Sequence, residues 1–203
     1  MRTIVVNLNL TLDGVMQAPG RPDEDSRGGF AHGGWALPYF DRVMAGAAAE
    51  GMARESALLF GRRTYEDFFA VWPRRTDNPF TPVLNNSRKY VASRTLQEPL
   101  PWANSTLLRG DAAVTVAALK SEPGPDLVVL GSGELVRALM RAGLVDVWSL
   151  SIHPLVLGSG QRLFDDCGPF AKLHLTDTKT TTTGVVMATY RPADGGDALT
   201  QDG

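Results

Sequence analysis

Four consecutive apolar residues, Leu127-Val128-Val129-Leu130, lie between the Pro123-Gly124-Pro125 break and Gly131. Such a run has no polar side to show to water, so it suits a strand buried on both faces, as in a parallel sheet covered by helices. The remaining segments alternate accordingly. Ile4 to Leu10 reads as a first strand left through an Asp13-Gly14 turn, and Ser56 to Phe60 as a short buried one. Between them Pro38 suits the first turn of a helix on which Phe40, Val43, Met44, Ala47 and Met52 recur at helical spacing. Thr64 is expected to cap the next helix, with Asp67 three residues on completing a capping box. Residues 73–88 read as a loop, Lys89 to Arg94 and Thr106 to Leu108 as strands, and Asp111 as the cap of a helix to Lys120. Glu134 to Arg141 is a helix stopped by Gly143, and Val145 to Ile152 a further strand. The Thr-rich runs Lys172 to Lys179 and Val185 to Tyr190 flank Thr182-Thr183-Gly184 as an antiparallel hairpin. The expected fold class is α/β, a mostly parallel sheet with an antiparallel C-terminal hairpin.

A chain of 203 residues that is 43% hydrophobic can fill one sizeable core. One domain over residues 1–192 is expected, with the polar, Gly-rich residues 193–203 as a flexible tail. Twenty basic against 22 acidic side chains leave a net charge of -2, which gives no global attraction to nucleic acid or an anionic membrane. No apolar run approaches the roughly 20 residues of a membrane span. No basic leader precedes the first strand, so the cytoplasm is the expected compartment. The single Cys167 cannot form an intrachain disulfide, and three scattered histidines make no metal-ligand cluster, so no metal is expected.

Two strand-to-helix junctions suit anions. At Gly131-Ser132-Gly133 small residues let the backbone approach a diphosphate at a helix N-terminus, and at Gly61-Arg62-Arg63-Thr64 two guanidinium groups join another. Read singly, the glycines are a tight turn, and Arg62 and Arg63 are surface charges paired with Glu66 and Asp67. Ser93-Arg94 adds a hydroxyl and a cation at a third strand end. In a parallel sheet all three share the carboxyl edge, where open α/β sheets bind ligands. The Rossmann fingerprint is missing, since Val136 stands where its third glycine belongs and the motif comes late in the chain.

Taken in order, five segments resemble the dihydrofolate reductase-like superfamily, and within it the reductase domain of the bifunctional riboflavin-biosynthesis deaminase-reductase. They are Leu12-Asp13-Gly14, Gly61 to Glu66, Tyr90 to Leu96, Leu130 to Leu135, and Pro154 to Gly160. The resemblance implies a three-layer αβα sandwich with NADPH across the carboxyl edge. By position it assigns Arg62, Arg63 and Thr64, beside Gly61, to the cofactor phosphates, and Ser93 and Arg94 to the 2′-phosphate. Gly131, Ser132, Gly133, Glu134 and Leu135 fall to the diphosphate and nicotinamide side, and Leu12, Asp13 and Gly14 border the nicotinamide. The loop from Val15 to Trp35 becomes a lid. Asp41 is the nearest match to the carboxylate that grips the pterin ring in dihydrofolate reductases; Asp13 is the other catalytic candidate, and each also reads as an ordinary turn or helix charge. Trp35 is a candidate wall for the substrate, although core packing is the competing reading, and His153 reads as structural. The resemblance implies an NADPH-dependent reductase of a small heteroaromatic or imine-like substrate, acting as a homodimer. The competing reading is a nucleotide-binding or sensing module without turnover. The deaminase half, with its zinc-ligand pattern, is not in this sequence.

Overall fold

On β1 (Ile4–Thr11) the even positions Ile4, Val6, Leu8 and Leu10 are buried, as the two-residue period of a strand requires. β1 runs parallel to β5 (Asp126–Leu130) on one side and to β6 (Val147–His153) on the other. The sheet continues outward through β2 (Ser56–Gly61), β3 (Lys89–Ser93) and β4 (Ser105–Arg109). Beyond β6 it ends in the hairpin of β8 (Val186–Pro192) and β7 (Leu173–Thr180), giving the order β4-β3-β2-β5-β1-β6-β8-β7. Only β8 runs against the other strands. The computed structural model describes residues 1–164 and 168–193, so Cys167 and residues 194–203 of the expected tail lie outside the described residues.

Helices cover both faces. α4 (Ala112–Ser121) and α5 (Gly133–Arg141) bury Val116, Leu119, Val136 and Leu139 against Val6, Leu59, Val129 and Leu150. On the opposite face α2 (Arg62–Val71) and α3 (Phe80–Asn86) close over β2 and β3, where Leu58, Phe60, Tyr65, Leu84, Val91 and Trp102 form a second core. α1 (Arg42–Ala53) differs: none of its residues is buried, and its Met52 packs at the edge of that second core.

Three expectations are corrected. Pro38 lies in a short 3-10 turn, Leu37–Tyr39, and α1 starts later because the Asp41 carboxylate accepts the N–H groups of Val43 and Met44 at 3.0 and 2.9 Å. Thr64 is not a cap: β2 passes straight into α2 with Gly61 at the N-cap and no side-chain cap, and Asp67 faces Arg21 instead. Residues 73–88 hold α3, started by Asn78, whose side-chain oxygen accepts the Phe80 N–H at 2.9 Å. Only Thr81 and Leu84 of that short helix are buried, too few to print a helical period.

Candidate active site

Because β3, β2, β5, β1 and β6 are parallel, their carboxyl ends open along one edge. The sheet order brings Ser93-Arg94, Gly61 to Thr64, Gly131 to Leu135 and Leu12 to Gly14 to that edge. The two central junctions are stitched together. Ser132 adopts a left-handed conformation (φ 64°, ψ 53°), at a cost of about 1–2 kcal/mol for a non-glycine residue, and its Oγ accepts the Gly61 N–H at 2.9 Å. A Cβ on Gly131 would stand 3.2 Å from the Thr64 methyl, so the junctions are also in close contact.

This geometry leaves the first turns of α2 and α5 without a side-chain cap. By contrast, carboxylates of Asp41 and Asp111 satisfy two N–H groups each at α1 and α4. Two helix ends with unpaired donors and positive dipole ends therefore lie side by side, the arrangement that receives phosphate.

The arginines form exposed pairs. Arg62 reaches Glu66 at 3.6 Å, and Arg63 spans the junctions to Glu134 at 3.2 Å rather than meeting Asp67. Arg94 pairs with Asp111 at 3.0 Å. Exposed pairs of this kind are worth at most about 1 kcal/mol, so a phosphate can displace the carboxylate partner. Ser93 Oγ accepts the N–H groups of Thr95 and Leu96, both at 3.1 Å, which shapes the turn that presents Arg94.

The loop from Val15 to Trp35, the expected lid, is folded around its own small core of Val15, Ala18, Phe30 and Trp35. Trp35 thus packs inside the lid; its Nε1–H donates to Gln17 O at 2.7 Å and its ring meets His153 edge-on at 5.1 Å. Arg21 fastens the lid to α2 through Asp67 at 2.5 Å. His153 is fully buried between Trp35 and Tyr39, and burial lowers its pKa.

Both carboxylates named as catalytic candidates accept several hydrogen bonds. Asp13 accepts from the Thr11 hydroxyl at 2.5 Å and from the N–H groups of Leu157 and Gly158 at 3.2 and 2.9 Å. Burial works to raise its pKa, but these donors outweigh it and hold the group at about 2. Asp41 receives the hydroxyl and N–H of Thr182 in addition to its two helix donors; the Thr182 hydroxyl and the Met44 N–H lead in bringing it to about 2. Leu12 is exposed beside Asp13, its N–H bonded to Leu155 O at 2.9 Å.

Next to the stitched junctions, a cleft of about 1560 Å³ separates α1 from the sheet and reaches Arg63, Thr64 and Gly131 to Gly133. Its floor carries Asn7, Asn9, Ser149, Ser151 and Thr189, and the lid contributes Glu24, whose carboxyl is raised by burial. Sequence reasoning passed over these residues. The signal was available in β1, where two amides interrupt a strand that lies in the middle of the sheet.

Among known proteins, YyaP of Bacillus subtilis, an uncharacterized protein, is 29% identical over 194 residues, covering 93% of this chain and 94% of its own. The fold matches a protein of Shewanella sp. PV-4 named for riboflavin biosynthesis, with a TM-score of 0.68 at 20% identity over 96% of this chain and 100% of that one. It also matches dihydrofolate reductase from Enterococcus faecalis, solved with NADP(H), with a TM-score of 0.58 at 13% identity over 95% of this chain and 97% of that one. At these identities the structural matches establish the dihydrofolate reductase-like fold alone. The RibD C-terminal domain family matches residues 2–188, nearly the whole chain, and the chain belongs to that family.

Proposed function

We propose that this protein is an NADPH-dependent reductase acting on a small heteroaromatic, pteridine-like or imine/carbonyl substrate. The observation that carries the reading is the pair of uncapped helix N-termini, α2 and α5, joined by the Gly61 to Ser132 hydrogen bond and opening on the cleft. The first-turn N–H groups of α2 and α5 hold the phosphates, with Arg63 at their rim and Arg94 for the 2′-phosphate. NADPH, when bound, supplies the hydride. The lid keeps water from the reacting atoms. Asp13 and Asp41, both ionised at neutral pH, position the lid root and α1 rather than donate a proton. Burial raises the carboxyl of Glu24, which lines the cleft, while the N–H groups of Gly20 and Arg21 that it accepts work the other way.

Titration with NADPH and NADH, followed by nicotinamide fluorescence, tests the reading. NADPH is expected to bind in the micromolar range and more tightly than NADH, with Arg63→Ala weakening both and Arg94→Ala erasing the preference, each by about tenfold. Failure of both nucleotides to bind at millimolar concentration overturns it. Binding without oxidation by any substrate tried favours the sensing module.

A second variant separates the backbone cradle from the arginines. A Cβ on Gly133 would lie 1.6 Å from Met16 Cε, the free end of a flexible side chain that can turn aside. Gly133→Ala is therefore expected to fold normally in a thermal melt and to lose about tenfold in NADPH affinity, because the methyl takes the space beside the α5 donors.

A further inference from the structure

We infer that Arg27 is the lid's own contact to the cofactor: its guanidinium binds the diphosphate at the first turn of α5, so that the lid seats on phosphate. The inference deepens the NADPH reading, on which it rests for naming the diphosphate.

Arg27 is carried toward α5 by its neighbours. Met16 Cε lies against Gly133, the first residue of α5, where a Cβ would stand 1.6 Å from it. The next residue, Gln17, is 4% exposed and spends its whole amide on the lid: Oε1 accepts the Gln161 N–H at 2.9 Å, and Nε2 donates to Asp25 O and Arg27 O at 3.1 and 3.0 Å. The path from α5 to Arg27 is therefore short, and it runs through neither Gly33 nor the Arg21 to Asp67 latch. Asp25 then fixes the side chain as a fork, accepting from Nε at 2.7 Å and from Nη2. A guanidinium has five N–H groups, and among the described residues those on Nη1 have no partner. Arg27 lines the same cleft as Arg63, Thr64 and Gly131 to Gly133.

An ion pair that only braces the lid is the competing explanation, and three observations count against it. The backbone of this turn is already held without the guanidinium, since Gln17 takes Arg27 O and the Arg27 N–H donates to Asp25 at 3.1 Å. The other lid arginine on the cleft, Arg21, crosses to Asp67 on α2, whereas among the described residues Arg27 pairs with Asp25 alone and reaches no other element. Glu134, in the first turn of α5, is the third. It pairs with Arg63 at 3.2 Å, and its charge also acts on Arg27, whose pKa is raised by the Asp25 carboxylate first and by Glu134 as well. One carboxylate at the start of α5 thus attracts guanidinium groups from both α2 and the lid. Its side chain is 74% exposed and free to swing aside. A phosphate in its place offers more charge and more oxygens to the same two forks.

The test titrates the whole chain with NADPH, with ADP, which has the diphosphate and no 2′-phosphate, and with 2′-AMP, which has the reverse. Arg27→Ala is expected to weaken NADPH and ADP by about tenfold and to leave 2′-AMP within about twofold of wild type. Asp25→Asn keeps an oxygen for the Arg27 N–H but removes the charge that competes with phosphate, so it is expected to bind NADPH at least as tightly as wild type. A brace predicts the same loss in both variants. Limited proteolysis reads the lid itself: NADPH and ADP are expected to slow cleavage between residues 18 and 34 in wild type and Asp25→Asn, but not in Arg27→Ala, and 2′-AMP to slow it in none. An Arg27→Ala protein that binds NADPH within about twofold of wild type overturns the inference, as does an equal loss in Asp25→Asn. Failure of wild type to bind NADPH is instead the failure of the reductase reading. ADP binding that then still weakens in Arg27→Ala leaves the phosphate contact standing, and absence of ADP binding removes it too.

Discussion

Lys89→Met is expected to lower the unfolding free energy by about 3 kcal/mol or more in urea denaturation. Lys89 opens β3 and is fully buried. Its Nζ donates to the carbonyls of Asn85, Ser87 and Ala103 at 3.1, 2.8 and 3.1 Å, and lies 4.4 Å from the centroid of the Trp102 ring. The ammonium thus gathers the end of α3, the turn into β3 and the approach to β4. Methionine has a similar length and apolar stem but no donor, so it leaves three carbonyls short of a partner. Each hydrogen bond to a charged group is worth about 1.5–3 kcal/mol; Asn85 O keeps the Asn104 amide at 3.4 Å and the Ser87 and Ala103 carbonyls lie near the surface, so water recovers part of the sum.

The pH dependence of that loss has a definite sign. Burial pushes the Lys89 ammonium down to about 8 from an ordinary 10.5. The folded chain therefore gives up this proton before the unfolded chain does. Between those two values the unfolded state binds more protons, so this group makes the folded state more stable as pH rises through the window, and contributes no pH dependence below it. Denaturation at about pH 7.5 and about pH 10 is expected to show the gap between wild type and Lys89→Met widening at the higher pH. A gap that narrows contradicts a lowered ammonium.

Much of the architecture is legible because it is written in short range. The apolar run Leu127 to Leu130, the alternating hairpin and the Asp111 cap each announce a local environment, and β5, β7, β8 and α4 follow. The glycine junctions are legible for the same reason: backbone approach needs small residues, and sheet order does the rest. Asp13 and Asp41 show where such reading stops. Their partners Gly158 and Thr182 lie 145 and 141 residues away, so the hydrogen bonds that hold both carboxylates are invisible to a local reading. Trp35 is decided by Gln17, Phe30 and His153, which a one-dimensional pattern does not bring together. Asn7 and Asn9 are the opposite case. They are local and visible, but their meaning depends on β1 being central and on α1 standing away from it.

Gly33→Ala is expected to unseat the lid while the sheet stays folded. A Cβ there would lie 2.4 Å from Pro22 O and 2.8 Å from Arg21 O, distances no side chain can relieve because both obstacles are backbone. The residues around Gly33 tie the start of the lid to its end: Gly34 N–H donates to Ala18 O at 2.8 Å, and Trp35 Nε1–H to Gln17 O. The added methyl forces residues 21 and 22 outward, which pulls on the Arg21 to Asp67 pair holding the lid to α2 and on the N–H of Arg21 that Glu24 accepts at 3.0 Å. Overpacking of this kind costs about 1–3 kcal/mol. The strain falls on the lid, since neither major core contains lid residues other than Met16. Limited proteolysis is therefore expected to cut between residues 18 and 34 much faster than in wild type, and turnover to fall by about tenfold or more while NADPH affinity at the α2 and α5 ends holds within about threefold. Gly28→Ala supplies the control: a Cβ there meets nothing within 4 Å, so it adds only the left-handed backbone cost of about 1–2 kcal/mol and leaves the lid seated. Equal protease resistance in the Gly33→Ala protein means that the Pro22 to Gly33 approach does not hold the lid down, and the tie then rests on the Arg21 to Asp67 pair and the hydrogen bonds of Gly34 and Trp35.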